Sequence, residues 1–70
     1  MANVEAEMVA NVWKVLVVPG ATVAEGDTLV ILESMKMEIP VVAPQAGTVT
    51  AVNVVEGGVV QEGDVIAVVE

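Results

Sequence analysis

The sequence predicts an all-β fold, a flattened barrel or sandwich of two antiparallel sheets, in a single domain that spans residues 1–70. Hydrophobic residues make up 56% of the chain, but only one residue is aromatic, and valine dominates. Valine and other β-branched residues favour strands because they fit a pleated, half-buried surface. No segment sustains the 3.6-residue apolar period of an amphipathic helix, so we expect essentially no helix.

An internal repeat predicts how the two sheets are related. A shift of 37 residues aligns residues 9–33 with residues 46–70 and gives ten identities in twenty-five positions. Half of the identities are valines, which are abundant, and the others are glycines and acidic residues. Two copies facing each other predict a small closed structure with quasi-two-fold symmetry, which protects strand edges. The first copy is followed by the predicted turn at residues 34–37. The repeat also predicts that this turn lies at the opposite end of the molecule from the chain ends.

Turn-forming residues divide the chain into six predicted strands, which are residues 4–8, 12–18, 28–33, 38–42, 48–55 and 65–69. The predicted turns are Asn11 and residues 19–20, 25–27, 34–37, 44–47, 56–58 and 62–64. The first strand alternates apolar and acidic residues, as a half-buried strand does. In the third strand Leu29 and Ile31 are expected to share a face. Pro40 restricts the fourth strand to an edge or an end, because proline cannot donate to a ladder.

The second strand has an irregular pattern. Val15 and Val17 share a face, but Val12 lies an odd number of residues from both. A bulge near Trp13 and Lys14 would reconcile the three valines. We expect Trp13 to be a partly exposed sheet residue with a packing role, since one tryptophan is a large share of the buried area of a small domain. A partner contact is the alternative, and Lys14 is expected to point outward.

Charge and composition exclude several classes of function. The net charge of -8 comes from ten acidic residues against two lysines, and it would repel nucleic acids and anionic membranes. The chain has neither cysteine nor histidine, so we expect no disulfide and no metal centre. No apolar run reaches the roughly 18 residues of a membrane helix. The amino terminus lacks the positive segment of a signal peptide, and we expect a complete, monomeric, cytoplasmic protein.

The central stretch, Glu-Ser-Met-Lys-Met-Glu at residues 33–38, contains the best candidate for a chemical function. We expect Met35 and Lys36 to be the central residues of a two-residue hairpin turn, where Asn-Gly is the usual sequence. Met-Lys suits such a turn poorly, which suggests a constraint other than stability. The Lys36 amine is free to be acylated there, and Met35 and Met37 suit contact with changing partners. The alternative is a solvated turn lysine flanked by two core methionines.

Residues 33–38 resemble the attachment motif of biotinyl domains, the biotin carboxyl carrier domains of biotin-dependent carboxylases, whose usual core is Ala-Met-Lys-Met. The resemblance continues through residues 41–49 and the turns at residues 56–57 and 62–64, so it covers nearly the whole chain. It is strongest to small stand-alone biotin/lipoyl attachment proteins, which also carry Glu-Ser-Met-Lys-Met-Glu. It implies the barrel–sandwich hybrid fold of biotinyl and lipoyl domains. The short link between the second and third strands predicts that the thumb of some members is absent.

The resemblance implies that a biotin protein ligase attaches biotin to Lys36 through an adenylate. Biotin would then carry carboxyl groups between the biotin carboxylase and carboxyltransferase sites of partner subunits, such as those of an acyl-CoA carboxylase. The chain would be a carrier and not an enzyme. Met35 and Met37 would flank the cofactor at its attachment point.

Other residues allow more than one role. The resemblance suggests that Glu33, Ser34 and Glu38 serve recognition by the ligase, with Ser34 replacing the usual alanine. The two glutamates could instead form a catalytic pair or be solvated strand ends, but nothing else in the chain would complete an active site. Asp27 and Asp64 could suggest calcium. As single acids after glycine in repeated positions, they are more typical of turns.

Two other functions compete with the biotin carrier. A lipoyl carrier for 2-oxoacid dehydrogenases would have nearly the same fold, but lipoyl domains typically show Asp-Lys-Ala at the tip, where this chain has Met-Lys-Met. The residue context therefore favours biotin. The third function is an unmodified interaction module.

Overall fold

The computed structural model describes residues 2–70 and confirms an all-β fold. Its strands are β1 (Ala2–Glu5), β2 (Ala10–Val15), β3 (Thr22–Val23), β4 (Thr28–Ser34), β5 (Met37–Val42), β6 (Gly47–Val52), β7 (Val59–Val60) and β8 (Val65–Val69). They form two antiparallel four-stranded sheets with the strand orders β1-β8-β6-β3 and β5-β4-β2-β7. Residues 2–70 contain no helix, and therefore none that is long and apolar enough to cross a membrane.

The predicted repeat is confirmed by the topology. Under the 37-residue shift, β2, β4 and β5 of one sheet correspond to β6, β8 and β1 of the other. The short strands are exchanged, because β3 follows β2 in the chain but pairs with β6, and β7 follows β6 but pairs with β2. Each half therefore supplies one strand to the sheet of the other half, and the two sheets are interlocked.

The turns of the two halves also share their hydrogen bonds. Asp27 Oδ2 accepts a hydrogen bond from the Ala24 amide at 2.8 Å, and Asp64 Oδ2 accepts one from the Gln61 amide at 2.9 Å. Each aspartate follows a glycine with a φ of 89°, a conformation that other residues rarely adopt. The predicted turn role of both aspartates is confirmed. Residues 2–70 include no group of three or more acidic side chains placed to hold a metal ion.

The core consists of apolar side chains contributed by both halves. The largest fully buried ones are Leu29, Leu32 and Ile66, with Val23 and the repeat-equivalent Val60 beside them. Within residues 2–70 no buried residue is polar or charged. Burial of apolar area is therefore the main stabilising term between the two sheets.

The predicted turn at Asn11 is wrong. β1 ends at Glu5 instead of residue 8, and β2 already begins at Ala10, so Asn11 lies inside a strand. Asn11 stays there because β2 is a central strand that pairs on both sides, with β4 and with β7. The chain bends earlier, at residues 7–8, on its way from one sheet to the other.

Two predicted strands end three residues early. β2 stops at Val15 and β6 at Val52, whereas the sequence predicts strands through residues 18 and 55. Beyond these points the chain crosses to the opposite sheet, where the Gly20 amide donates to the Val49 carbonyl at 2.7 Å. The crossings lead into β3 and β7, which have only two residues each and were not predicted.

The predicted bulge in β2 is confirmed, and Trp13 is a partly exposed sheet residue as expected, but its expected share in the core is wrong. Val12 pairs with Leu32 and Lys14 pairs with Ile31, so Trp13 is the extra residue. Its side chain is 43% exposed and lies outside the buried cluster. The Lys14 side chain is exposed, as predicted, and its Nζ lies 5.7 Å from the centroid of the Trp13 ring, within cation–π range.

A second bulge, in β4, makes another prediction wrong. Leu29 has no partner in the register with β5, which shifts between Thr28 and Val30. As a result Leu29 and Val30 are both fully buried, and Ile31 is only half-buried. Leu29 and Ile31 therefore do not share a buried face. The predicted edge position of Pro40 is confirmed, because β5 is the outer strand of its sheet.

The repeated turns provide a matched test of the fold. Replacing Asp27 or Asp64 with alanine removes a charged acceptor from a backbone amide, and each variant should lose about 1–2 kcal/mol of unfolding free energy. Urea denaturation followed by circular dichroism measures the loss. Glu25→Ala changes a neighbouring exposed acid and should stay within about 0.5 kcal/mol of the parent. A loss in only one of the two aspartate variants would contradict the equivalence of the turns.

Candidate functional site

Lys36 lies at the tip of the β4–β5 hairpin. The ladder runs over six residue pairs, from Thr28 with Val42 at the base to Ser34 with Met37 below the tip. Met35 and Lys36 form the two-residue turn and have φ angles of 53° and 65°. The predicted positions of both residues are therefore confirmed, and positive φ at both is the pattern of a type I′ turn.

The tip is held in a conformation that its own residues disfavour. Positive φ is usual for glycine and tolerated by asparagine, whereas a methionine or lysine in this region costs about 1–3 kcal/mol. The energy must come from the ladder and from the core beneath it. The strain therefore lies at Met35 and Lys36, the two residues that the sequence predicted at the centre of the turn.

The side chains at the tip are exposed. Met35 is 91% and Met37 65% accessible, so the alternative in which these methionines fill the core is wrong. Lys36 is exposed as well, and no side-chain hydrogen bond within residues 2–70 involves its amine. An approaching protein meets an amine between two soft, adaptable side chains.

The two faces of the hairpin below the tip differ in charge. Glu33 and Glu38 are directly opposite each other in the ladder, and both are exposed. Like charges in this position destabilise a strand pair. Ser34 and Met37 form the next pair and project to the other face, because successive side chains alternate. The structure thus gathers the predicted site residues into one tip with an acidic face and a methionine face.

The chain end lies away from Lys36, as the repeat predicts. The base of the hairpin, where Thr28 pairs with Val42, is about 20 Å of strand from the tip. A few residues beyond Val42 the chain enters β6, and there the backbones of Thr48 and Glu70 exchange hydrogen bonds of 2.7 and 2.8 Å. Glu70 is therefore on the side of the base.

A groove of about 310 Å³ opens beside the hairpin, between the edge strands β1 and β5, and we call it the β1–β5 groove. Residues 4–8 line one side and residues 39–42 the other, with the buried Leu32 between them. The sequence did not predict this groove because its walls come from distant parts of the chain. The only sign of the groove in the sequence is that Val4 and Val41, one from each wall, are equivalent under the repeat.

Comparison with known proteins shows similarity over the whole domain. A family model described as "Biotin-requiring enzyme" matches residues 2–69. The chain is 55% identical over 67 residues to the "Biotinylated protein TB7.3 homolog" of Mycobacterium leprae. That match covers 96% of this chain and 94% of the relative.

Two solved structures contain a domain of the same fold. The urea carboxylase of Kluyveromyces lactis superposes with a TM-score of 0.91 at 32% identity, over 99% of this chain and 6% of the carboxylase. A single-chain, multi-domain long-chain acyl-CoA carboxylase gives a TM-score of 0.88 at 35% identity, over 94% of this chain and 6% of that protein. The chain therefore resembles one small part of each carboxylase.

The strain at the tip can be measured directly. Replacing Met35-Lys36 with Asn-Gly, the pair preferred in this turn, should raise the free energy of unfolding by about 1 kcal/mol. Urea denaturation followed by circular dichroism provides the value. Lys36→Arg keeps a β-carbon at the same φ and should change it by less than about 0.5 kcal/mol. Equal stability of the Asn-Gly variant and the parent would mean that the turn is not strained.

Proposed function

Because the chain belongs to the family whose model is described as "Biotin-requiring enzyme", we propose that it is a biotin carrier domain with biotin attached covalently to Lys36. The observation that supports this most directly is the geometry of Lys36. Its amine is exposed on a strained two-residue tip at one end of a rigid hairpin. A carrier needs a reactive group that reaches outward from a fixed root.

The residues at the tip fit covalent attachment of biotin. A primary amine on a flexible stem can form an amide with the carboxyl group of biotin. Lys14, the other lysine, lies within β2 and close to the ring of Trp13. A ligase that requires an amine at a hairpin tip therefore distinguishes Lys36 from Lys14.

The attachment step requires a biotin protein ligase and biotinyl-adenylate. The Lys36 Nζ attacks the activated carboxyl carbon, the amide bond forms, and the bond to the phosphate breaks as AMP leaves. The amine loses a proton in the process. Glu33 and Glu38 serve recognition by the ligase, since the acidic face offers two exposed carboxylates beside the target amine, and Ser34 contributes to recognition from the methionine face.

The carrier works with the biotin carboxylase and carboxyltransferase sites of a biotin-dependent carboxylase. When bound, biotin supplies the nitrogen that accepts and gives up a carboxyl group. The chain supplies a rigid root and the flexible lysine stem, and tethering raises the local concentration of the arm at both sites. Met35 and Met37 contact successive partners. The similarity to parts of two carboxylases supports this role.

The same proposal includes a cytoplasmic, monomeric carrier. The ligase reaction consumes ATP, which the cytoplasm provides. The net charge of -8 makes copies of the chain repel one another, which supports the monomer.

Mass spectrometry tests the attachment. The chain coexpressed with a biotin protein ligase and biotin should carry one biotinyl group, on Lys36. Lys36→Arg should abolish both the adduct and binding to streptavidin, whereas Lys14→Arg should leave both unchanged. An adduct on Lys14, a lipoyl adduct, or no adduct at all would overturn the proposal.

The acidic face allows a test of ligase recognition. Glu33→Gln and Glu38→Gln should each slow biotinylation about tenfold, since the loss of a charged hydrogen bond costs about 1.5 kcal/mol. Each change should also stabilise the fold by about 0.2–1 kcal/mol, because it removes a like-charge pair. Initial rates of biotin incorporation and urea denaturation measure the two effects. Glu25→Gln is the control, and an unchanged rate in both glutamate variants would refute the recognition role.

A further inference from the structure

We propose that the biotinyl arm on Lys36 folds back into the β1–β5 groove when no partner enzyme holds it, an inference that rests on the proposed biotin attachment. The bicyclic ring then lies between Met8 on one wall and Ile39 on the other. The groove is a resting site for the cofactor on its own carrier. The domain alternates between this closed arrangement and an open one in which the arm is free.

The groove begins on the methionine face of the hairpin. Met37, Ile39 and Val41 alternate along β5 and project to the same side. Ile39 pairs with Leu32, and both line the groove. Three residues of strand span about 10 Å, and a lysine stem extended by the valeryl chain of biotin exceeds that length. An apolar path through Met37 therefore leads from the Lys36 amine into the groove.

The size and lining of the groove suit a small, mostly apolar group. Its volume of about 310 Å³ lies at the lower end of the range for small-molecule sites. Val4 and Leu32 are buried beneath it, whereas Met8 is 42% exposed and free to close over a ligand. Methionine adapts its shape to irregular partners, so Met8 can cover the ring without a fixed pocket.

Polar groups at the rim suit the ureido part of biotin. Glu5 and Glu7 line the groove, and carboxylates accept hydrogen bonds from N–H donors. β1 and β5 are edge strands, so each has backbone groups without a strand partner on its outer side. The ureido group carries N–H donors and a carbonyl acceptor, like a peptide. It can therefore pair with these carboxylates and with either strand edge.

Tethering allows a weak site to be occupied. A short flexible arm gives an effective concentration in the millimolar range, so an intrinsic dissociation constant of about 1 mM gives half-occupancy. The acidic rim disfavours an anionic occupant, whereas the biotin ring is neutral. A partner enzyme that binds the ring more tightly than the groove does draws the arm out of the groove, with little loss of binding free energy.

Nuclear magnetic resonance of the full chain tests the closed arrangement. Biotinylation should shift backbone amide signals of residues 4–8 and 39–42 in addition to those of the tip. Nuclear Overhauser effects should connect the ureido protons with methyl groups of Met8 and Ile39. Shifts confined to residues 34–37 would overturn the inference. Mass spectrometry of the same sample verifies the adduct, so failure of attachment is distinguishable from failure of folding back.

Biotin amide, which is uncharged like the attached arm, gives a test that does not depend on attachment. Added at millimolar concentration to the Lys36→Arg chain, it should shift the same groove signals. Absence of any shift in residues 4–8 and 39–42 would contradict the site. If the groove instead holds a segment of a partner protein, the signals will move only with that partner, and the inference is wrong.

Matched variants measure how much of the arm is closed. Met8→Ala removes one wall, and Ile39→Thr removes the other while retaining a β-branched side chain. Capture of the biotinylated chain by avidin requires the open arm, so both variants should be captured about twofold faster than the parent. Val9→Ala changes an exposed neighbour that does not line the groove and should leave the rate unchanged. Equal rates for all three variants would overturn the inference.

Discussion

The position of Lys36 depends on one constraint, the ladder between β4 and β5 that holds Met35 and Lys36 in the left-handed region. Neither residue favours that conformation, so the ladder must supply the energy. It can do so because β4 is an inner strand, paired on its other side with β2 and anchored in the core through Leu32. The flexible amine therefore starts from a fixed point, which is what a moving arm requires.

The repeat separates the features that serve the fold from those that serve function. Asp27 and Asp64 occupy equivalent turns and make the same hydrogen bond, so their role is structural. In the second half β8 and β1 take the places of β4 and β5. Because β8 is the last strand and β1 the first, no hairpin turn joins them at the position equivalent to the tip. Lys36 has no counterpart there. Features confined to one half are thus the candidates for function.

The sequence predicted what local chemistry determines and missed what distant neighbours determine. The tip at Lys36 and the bulge at Trp13 were found because a break in pattern marks each of them. Asn11 has turn propensity, yet pairing on both sides of β2 keeps it in a strand. The bulge at Leu29 leaves no sign in an apolar run, and two-residue strands are too short for any periodicity. The attachment motif was accordingly visible in the sequence, whereas the groove beside it was not.

The β1–β5 groove is a consequence of closing a small fold from two copies. β1 and β5 are equivalent edge strands that line it without pairing, and Val4 and Val41 occupy equivalent places in it. Open edges invite additional strands, but Pro40 removes a donor from one edge and Glu5 adds charge to the other. Only one end of the groove adjoins the lysine tip. The groove becomes a ligand site because Lys36 breaks the repeat.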